Sequence, residues 1–316
     1  AIGSREMLDI REAEYGGEML YVNKSEHHPM IQTEYCRDEG LRKYWDEYSY
    51  PFHKQGDGPL HKGQDAGAYN QNQDRLAVEF VRRWYDLWRE RPGTGRRVNS
   101  GGAKIVFSDT QTYGRGAENY RRSGVVDPLR IPKDGFFAHK VMWDGWVDVE
   151  NYHTHIIGHW NYTPDVRKPV YVVSSGDAVE LFVNGMSMGR KVIDHAHGTE
   201  LVPHWKVPYE KGYVEAVAYD EAGNELARQM RHSFSDADRL VIEADRRQME
   251  NRYGELIFVE IGALDKDGYT VDNANNRVEI KVTGAGRLVG LDNGDSTDFD
   301  QVKTSSRRLF GGKLLA

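Results

Sequence analysis

A chain of 316 residues has room for about two domains, or three small ones. With 39% apolar and 29% charged residues it builds cores and a wet surface, which excludes a disordered chain. Its 49 acidic against 42 basic side chains leave a net charge of -7, which argues against a nucleic-acid partner. Cys36 is the single cysteine, so no intrachain disulfide forms. No apolar run approaches a membrane span, and "AIGSREMLDI" lacks the apolar core of a signal peptide. That start, without Met, and an end inside a strand-like pattern, "RRLFGGKLLA", read as a fragment at both ends or the remainder of a processed chain.

The first clear element is "PMIQTEYC", a short apolar run that reads as a strand. Met30, Gln32 and Glu34 share one face of it, and Ile31, Thr33 and Tyr35 the other. A long loop rich in Gly, Gln, Asn and His follows. Then "DRLAVEFVRRWYDLWRERPG" places Ala77, Phe80, Val81, Trp84, Leu87 and Trp88 at helical spacing. Asp74 is the expected cap and Pro92-Gly93 the stop. "AKIVFSDT" reads as a buried strand ending at Ser108 and Asp109, and "KDGFFAHKVMWDGW" as a short amphipathic helix. This β-α-β-α order puts polar residues at the C-terminal ends of two strands, the active-site edge of parallel α/β folds.

Beyond residue 165 the pattern is all β. "PVYVVSS", "AVELFVNG", "GYVEAVAYDEAGNELARQM", "RLVIEAD", "ELIFVEIGALDKDGYTV" and "NRVEIKVTGAG" are strands joined by Gly, Asn and Asp turns. In "YVEAVAYD", Val214, Ala216 and Ala218 alternate with Tyr213, Glu215, Val217 and Tyr219, as sandwich strands do. "HSFSDADR" is the expected linker between two sandwiches.

Glu34 is the leading candidate for chemistry. A carboxylate at the end of such a strand is a nucleophile, a metal ligand or half of an ion pair, with Arg37 and Arg42 as candidate partners. Metal readings are weaker. His153, His155 and His159 read as a strand edge and a turn. The oxygen-rich stretch from Asp292 to Asp300 lacks the spacing of a calcium loop. Arg115, Glu118, Asn119, Arg121 and Arg122 form a polar loop suited to hydroxyl or carboxylate recognition. The 18 Tyr and 7 Trp offer flat faces that suit sugars as well as cores.

"PMIQTEYCRDEG" resembles the nucleophile strand of glycoside hydrolase family 2, the seventh of a (β/α)8 barrel. "GGAKIVFSDTQTYGRGAENYRRSGVVDPLRIPKDGFFAHKVMW" resembles the eighth strand, its loop and the last helix. "HIIGHWNY" is similar to the connector after the barrel, and "VELFVNGMSMGRK" with "WKVPYEKGYVEAVAYDEAGNELAR" to the immunoglobulin-like domain that follows. "NRVEIKVTGAGRLVGLDNGDSTD" resembles the further C-terminal sandwich of many bacterial β-galactosidases of the family.

The fold this implies is α/β plus all-β. Residues 1–150 form the C-terminal part of a TIM barrel, about strands six to eight. Residues 151–235 form an immunoglobulin-like β-sandwich, and 236–316 a second sandwich short of its final strand. The activity it implies is retaining hydrolysis of terminal β-linked sugars, foremost as a β-galactosidase, with Glu34 as nucleophile. Tyr35 then sits beside the nucleophile, and Asp109, Asn119 and Arg121 line the sugar subsite. Asn119-Tyr120-Arg121 is similar to the Asn-x-Lys pair with which the family's β-glucuronidases hold a uronate, so a β-glucuronidase is the alternative. A non-catalytic carbohydrate-binding or structural fragment is the second alternative.

The family's acid/base, in an Asn-Glu pair after the fourth strand, has no counterpart here. Partners are therefore a β-linked oligosaccharide or glycoside and the missing N-terminal half or a complementing chain, without nucleic acid or membrane span; a homo-oligomer stays open. The chemistry needs no metal or organic cofactor. Relatives that act on foreign glycans point to a periplasmic or secreted location, with a cytoplasmic one open.

Overall fold

The computed structural model describes residues 16–19, 30–35, 40, 42, 73–89, 99–104, 106–110, 121–149, 151–250, 252, 254–295 and 298–316. The N-terminal region holds three parallel strands in the order β1-β2-β3: β1 (Gly16–Met19), β2 (Met30–Tyr35) and β3 (Asn99–Lys104). Parallel neighbours need a crossover, and helix α1 (Gln73–Trp88) supplies it between β2 and β3. Among the described residues these strands form an open three-stranded sheet and not a closed barrel.

α1 begins at Gln73, which puts the expected cap, Asp74, inside the first turn. Ala77, Phe80 and Val81 are fully buried, as their spacing requires, and so are Leu76 and Tyr85. Two apolar stripes result. Ala77, Val78, Val81 and Tyr85 pack against Ala138, Val141 and Met142 of helix α2 (Asp134–Met142) and against Ile157, Val173, Leu201 and Val202 of the first sandwich. Leu76 and Phe80 pack instead on Val125 and Val126. α2 runs on into a π-helical turn, Trp143–Val147.

The expected strand "AKIVFSDT" is displaced. β3 ends at Lys104, and Phe107 is 58% exposed. Past β3 the backbone pairs with a different partner. Val125 N and Val126 N donate to Phe107 O, Asp109 N donates to Val126 O, and Thr110 and Arg121 exchange both backbone bonds. The 121–126 segment thus replaces β2 as the neighbour of Ser108 and Asp109.

Seven strands make the first sandwich. One sheet is β4 (Thr154–Ile157), β5 (Arg167–Ser174) and β8 (His204–Pro208). The other is β10-β9-β6-β7, from β6 (Ala178–Val183), β7 (Met186–Val192), β9 (Tyr213–Tyr219) and β10 (Glu225–His232). Trp160, Val172, Leu181, Val214, Ala216 and Ala218 fill the space between them. Trp160 keeps its indole N–H satisfied by donating to Glu210 O at 3.1 Å. Val217, on the outward face of β9 by alternation, is also buried.

The second sandwich is smaller: β11 (Arg239–Ala244), β12 (Val259–Leu264) and β15 (Lys313–Leu315) in one sheet, β13 (Arg277–Glu279) and β14 (Ser306–Arg308) in another. Its core includes Phe234, from the expected linker, beside Ile261, Val271, Leu291 and Leu314. "HSFSDADR" is therefore tied down: Phe234 is buried, Ser235 N donates to Asp265 Oδ2 at 2.9 Å, and Asp238 N donates to Leu264 O at 2.8 Å.

Candidate active site

The C-terminal ends of the parallel strands lie level. Met19 of β1 is opposite Glu34 of β2, and Tyr35 is opposite Lys104 of β3. Glu34 is thus the penultimate residue of the middle strand, at the edge where parallel α/β sheets carry their chemistry. For Glu34 and Tyr35 the structure describes the backbone. Arg37, Arg115, Glu118 and Asn119 lie outside the described residues.

Behind this edge stands a set of buried charges that composition does not announce. Lys133, 1% exposed, donates to Gly40 O at 2.6 Å, to Arg122 O at 3.0 Å and to both oxygens of Asp109 at 3.1 Å. One ammonium thereby joins the segment after β2, the segment after β3 and the 121–124 strip. Gly40 N donates to Arg122 O, and Lys104 Nζ reaches Ser123 O at 2.6 Å while lying over the Phe80 ring. A second centre is Asp127. Its Oδ1 accepts from Leu129 N and Ile131 N, and its Oδ2 from Arg42 Nε at 2.7 Å.

Asp109 has a different setting from the expected sugar subsite. It is 4% exposed, Lys133 holds both of its oxygens, and Oδ1 also accepts from Gly124 N at 2.8 Å. Burial pushes its carboxyl up to about 6, against the pull of Lys133. Those contacts make it an internal anchor. Arg42, a candidate partner for Glu34, pairs with Asp127. Arg121 is half-buried, its Nε fixed by Ser123 Oγ at 2.8 Å, and its backbone bonds to Thr110 bring the two ends of the 111–120 segment together.

The histidines go separate ways. His155 Nε2 meets Asp134 Oδ1 at 2.8 Å, His153 Nε2 meets Asp144 Oδ2 at 2.9 Å, and His159 packs against the Tyr162 ring at a tilt of 37°. The Asp292–Asp300 stretch is held by arginines: Arg307, buried, lies against Asp292 and Asp298, and Arg277 Nη2 donates to Asp300 Oδ2 at 2.8 Å. Lys133, Asp127 and Arg42 are the residues that sequence reading missed as an organising group. The only local signal was a run of turn formers, Asp127-Pro128 and Pro132-Lys133-Asp134.

Residues 240–316 match the glycoside hydrolase family 2 C-terminal domain 5. Residues 166–227 match a domain family of unknown function, DUF4982. The β-galactosidase BoGH2A of Bacteroides ovatus is 31% identical over 195 residues, 61% of this chain and 22% of that protein. A β-glucuronidase of Formosa agariphila is 28% identical over 264 residues, 81% of this chain and 25% of that protein. The chain spans about a quarter of the length of these curated relatives. A β-glycosidase structure from Bacteroides vulgatus superposes with a TM-score of 0.74 at 21% identity, over 97% of this chain and 42% of that one. A family 2 β-glucuronidase structure gives 0.72 at 22% identity, over 96% and 30%. At these identities the likeness speaks for the fold: the parallel strands, helices and sandwiches are arranged as in those enzymes.

Proposed function

We propose that this chain supplies the nucleophile end of a retaining β-glycosidase, and that its substrates are β-glucuronides. The observation that carries the reading is the match to the Formosa agariphila β-glucuronidase over 81% of the chain. A span of that length runs through residues 99–149, the strand ends and loops that would meet a sugar. Glu34 supports it by its place at the end of the middle parallel strand. The second reading, a β-galactosidase, is favoured by the higher identity of BoGH2A over a shorter span.

In this mechanism the Glu34 carboxylate attacks the anomeric carbon while an acid protonates the leaving oxygen. A glycosyl ester forms, and water activated by the same second carboxyl then cleaves it. The acid/base comes from the half of the barrel that completes the sheet. Asn119 and Arg121 receive the uronate carboxylate, Arg121 as a planar cation held by Ser123.

The test is covalent capture, in the polypeptide that carries these residues together with the acid/base half. An activated 2-deoxy-2-fluoro-β-glucuronide, compared with the galactoside, adds one glycosyl mass to the peptide containing Glu34. Glu34→Gln abolishes both the mass gain and turnover. Capture by the galactoside alone decides for the second reading. Turnover that survives Glu34→Gln removes both.

A further inference from the structure

One side chain connects the C-terminal sandwich to the segment that follows Glu34. Arg42 is almost fully buried, and its guanidinium is divided among three distant parts of the chain. Nε donates to Asp127 Oδ2 at 2.7 Å, Nη2 to Asn293 O at 2.8 Å and Nη1 to Gly311 O at 3.3 Å. The guanidinium carbon also lies 5.2 Å from the centroid of the Phe310 ring. A buried cation is tolerable only when its donors are met, and among the described residues two of these three acceptors, Asn293 O and Gly311 O, come from the second sandwich.

The acceptors are fixed in their turn. Asn293 Nδ2 donates to Asp298 Oδ2 at 2.7 Å and to Arg308 O at 3.0 Å, so the Asn293 backbone is held from within its own sandwich. Both sandwich turns are glycine turns at the point of contact. Gly294 has φ +76°, and a Cβ there would stand 2.2 Å from Asp127 Oδ2. Gly311 has φ +53°, and a Cβ there would press on Arg42 Nη1 and Arg42 O at 3.1 Å. Gly294 and Gly311 thus let their turns close on the Arg42–Asp127 pair, Gly294 against Asp127 and Gly311 against Arg42.

We propose that the C-terminal sandwich is part of the catalytic unit, and that Arg42 is a positioning residue through which the Asn293-Gly294 and Gly311 turns hold the segment following the Glu34 strand. The path is short. Gly40, between Glu34 and Arg42, is pinned by its N–H to Arg122 O and by its carbonyl to Lys133. A nucleophile displaced by about 1 Å loses rate by about a hundredfold, even when the change is remote from the chemistry. The inference rests on the reading of Glu34 as nucleophile given above.

Three variants test it in the complete polypeptide. Arg42→Ala removes the clamp. Arg42→Lys keeps the charge and loses the fork that spans both carbonyls. Phe310→Leu keeps apolar volume in the sandwich and takes the ring from beneath the guanidinium. Arg42→Ala and Arg42→Lys lower kcat, and the rate of covalent capture at Glu34, by about 10- to 100-fold with KM within about twofold. Phe310→Leu lowers kcat in the same direction by several-fold and serves alone where the arginine variants do not fold. Unchanged kcat in folded Phe310→Leu and in either folded arginine variant overturns the proposal, even if melting temperatures fall.

Should Glu34→Gln retain turnover, the catalytic reading fails separately. The clamp is then judged by calorimetry. In Arg42→Ala, or in Phe310→Leu where the former does not fold, a C-terminal transition split from the main one upholds the coupling. A single unshifted transition overturns it.

Discussion

Replacing Lys133 by Met distinguishes an anchor from a substrate ligand at Asp109. Lys133 is 1% exposed and, among the described residues, has four oxygen contacts within 3.1 Å, two of them to Asp109. Methionine fills a similar volume and leaves the Asp109 carboxylate buried without its cation. Breaking a buried pair from one side costs about 3–5 kcal/mol. The penalty depends on pH, with a sign that follows from Asp109. Its folded pKa is already raised to about 6, above the unfolded value, so its contribution to stability is present in acid and lost as pH rises through the folded pKa. Without Lys133 that pKa rises further. At pH 8 the variant therefore bears the full penalty. At pH 5.5 Asp109 folds protonated, and the loss shrinks to about 1–3 kcal/mol for the hydrogen bonds left unmade. The double variant Lys133→Met/Asp109→Leu recovers part of the pH 8 loss, because both members of the buried pair are then removed together. Urea denaturation at the two pH values measures this. A loss below about 1 kcal/mol at pH 8, or one independent of pH, refutes the burial argument and returns Asp109 to an open cleft.

Two further outcomes follow from packing and protonation. Burial pulls His139 down to about 4, with Lys104 adding to the effect, while its Nδ1 donates to Gly135 O at 2.7 Å. Its neutral form is kept on folding, so stability present above the unfolded pKa is lost as pH falls from about 6.5 towards 4, by about 2 kcal/mol for a half-buried ring. His139→Gln flattens that acid limb in thermal melts; identical slopes for both proteins between pH 7 and 5 contradict it. Phe234→Ala opens a cavity beside Ile261 and Leu314 and lowers the stability of the second sandwich by about 3–5 kcal/mol. A change under about 1 kcal/mol in its denaturation midpoint means that this segment is the free linker its composition suggested.

What was legible in the sequence is what depends on neighbours along the chain. α1 was readable because Ala77, Phe80 and Val81 recur at the helical period, and β9 because Val214, Ala216 and Ala218 alternate. The Glu34 strand was readable for the same reason. β7 was not: Met186–Val192 lies on an outer edge and its residues are exposed or half-buried, so nothing in "MSMGRKV" repeats with period two. "AKIVFSDT" misled because apolar content announces a strand but not its partner, and here the 121–126 segment competed successfully for the backbone.

The site was the least legible part, for a related physical reason. Asp109, Asp127, Asp292 and Asp298 are the same residue type in similar polar, turn-rich surroundings, yet they meet Lys133, Arg42 and Arg307 from distances that local pattern does not encode. A buried carboxylate and a substrate-facing one place the same demand on sequence, a polar residue at a strand end. The deciding quantity is which cation arrives to neutralise it. Arg42 receives Asp127 from 85 residues away and Asn293 from 251. Periodicity can place Glu34 at the end of its strand, but only the long-range hydrogen bonds from Arg42 to the Asn293 and Gly311 carbonyls show that Arg42 is held by the C-terminal sandwich.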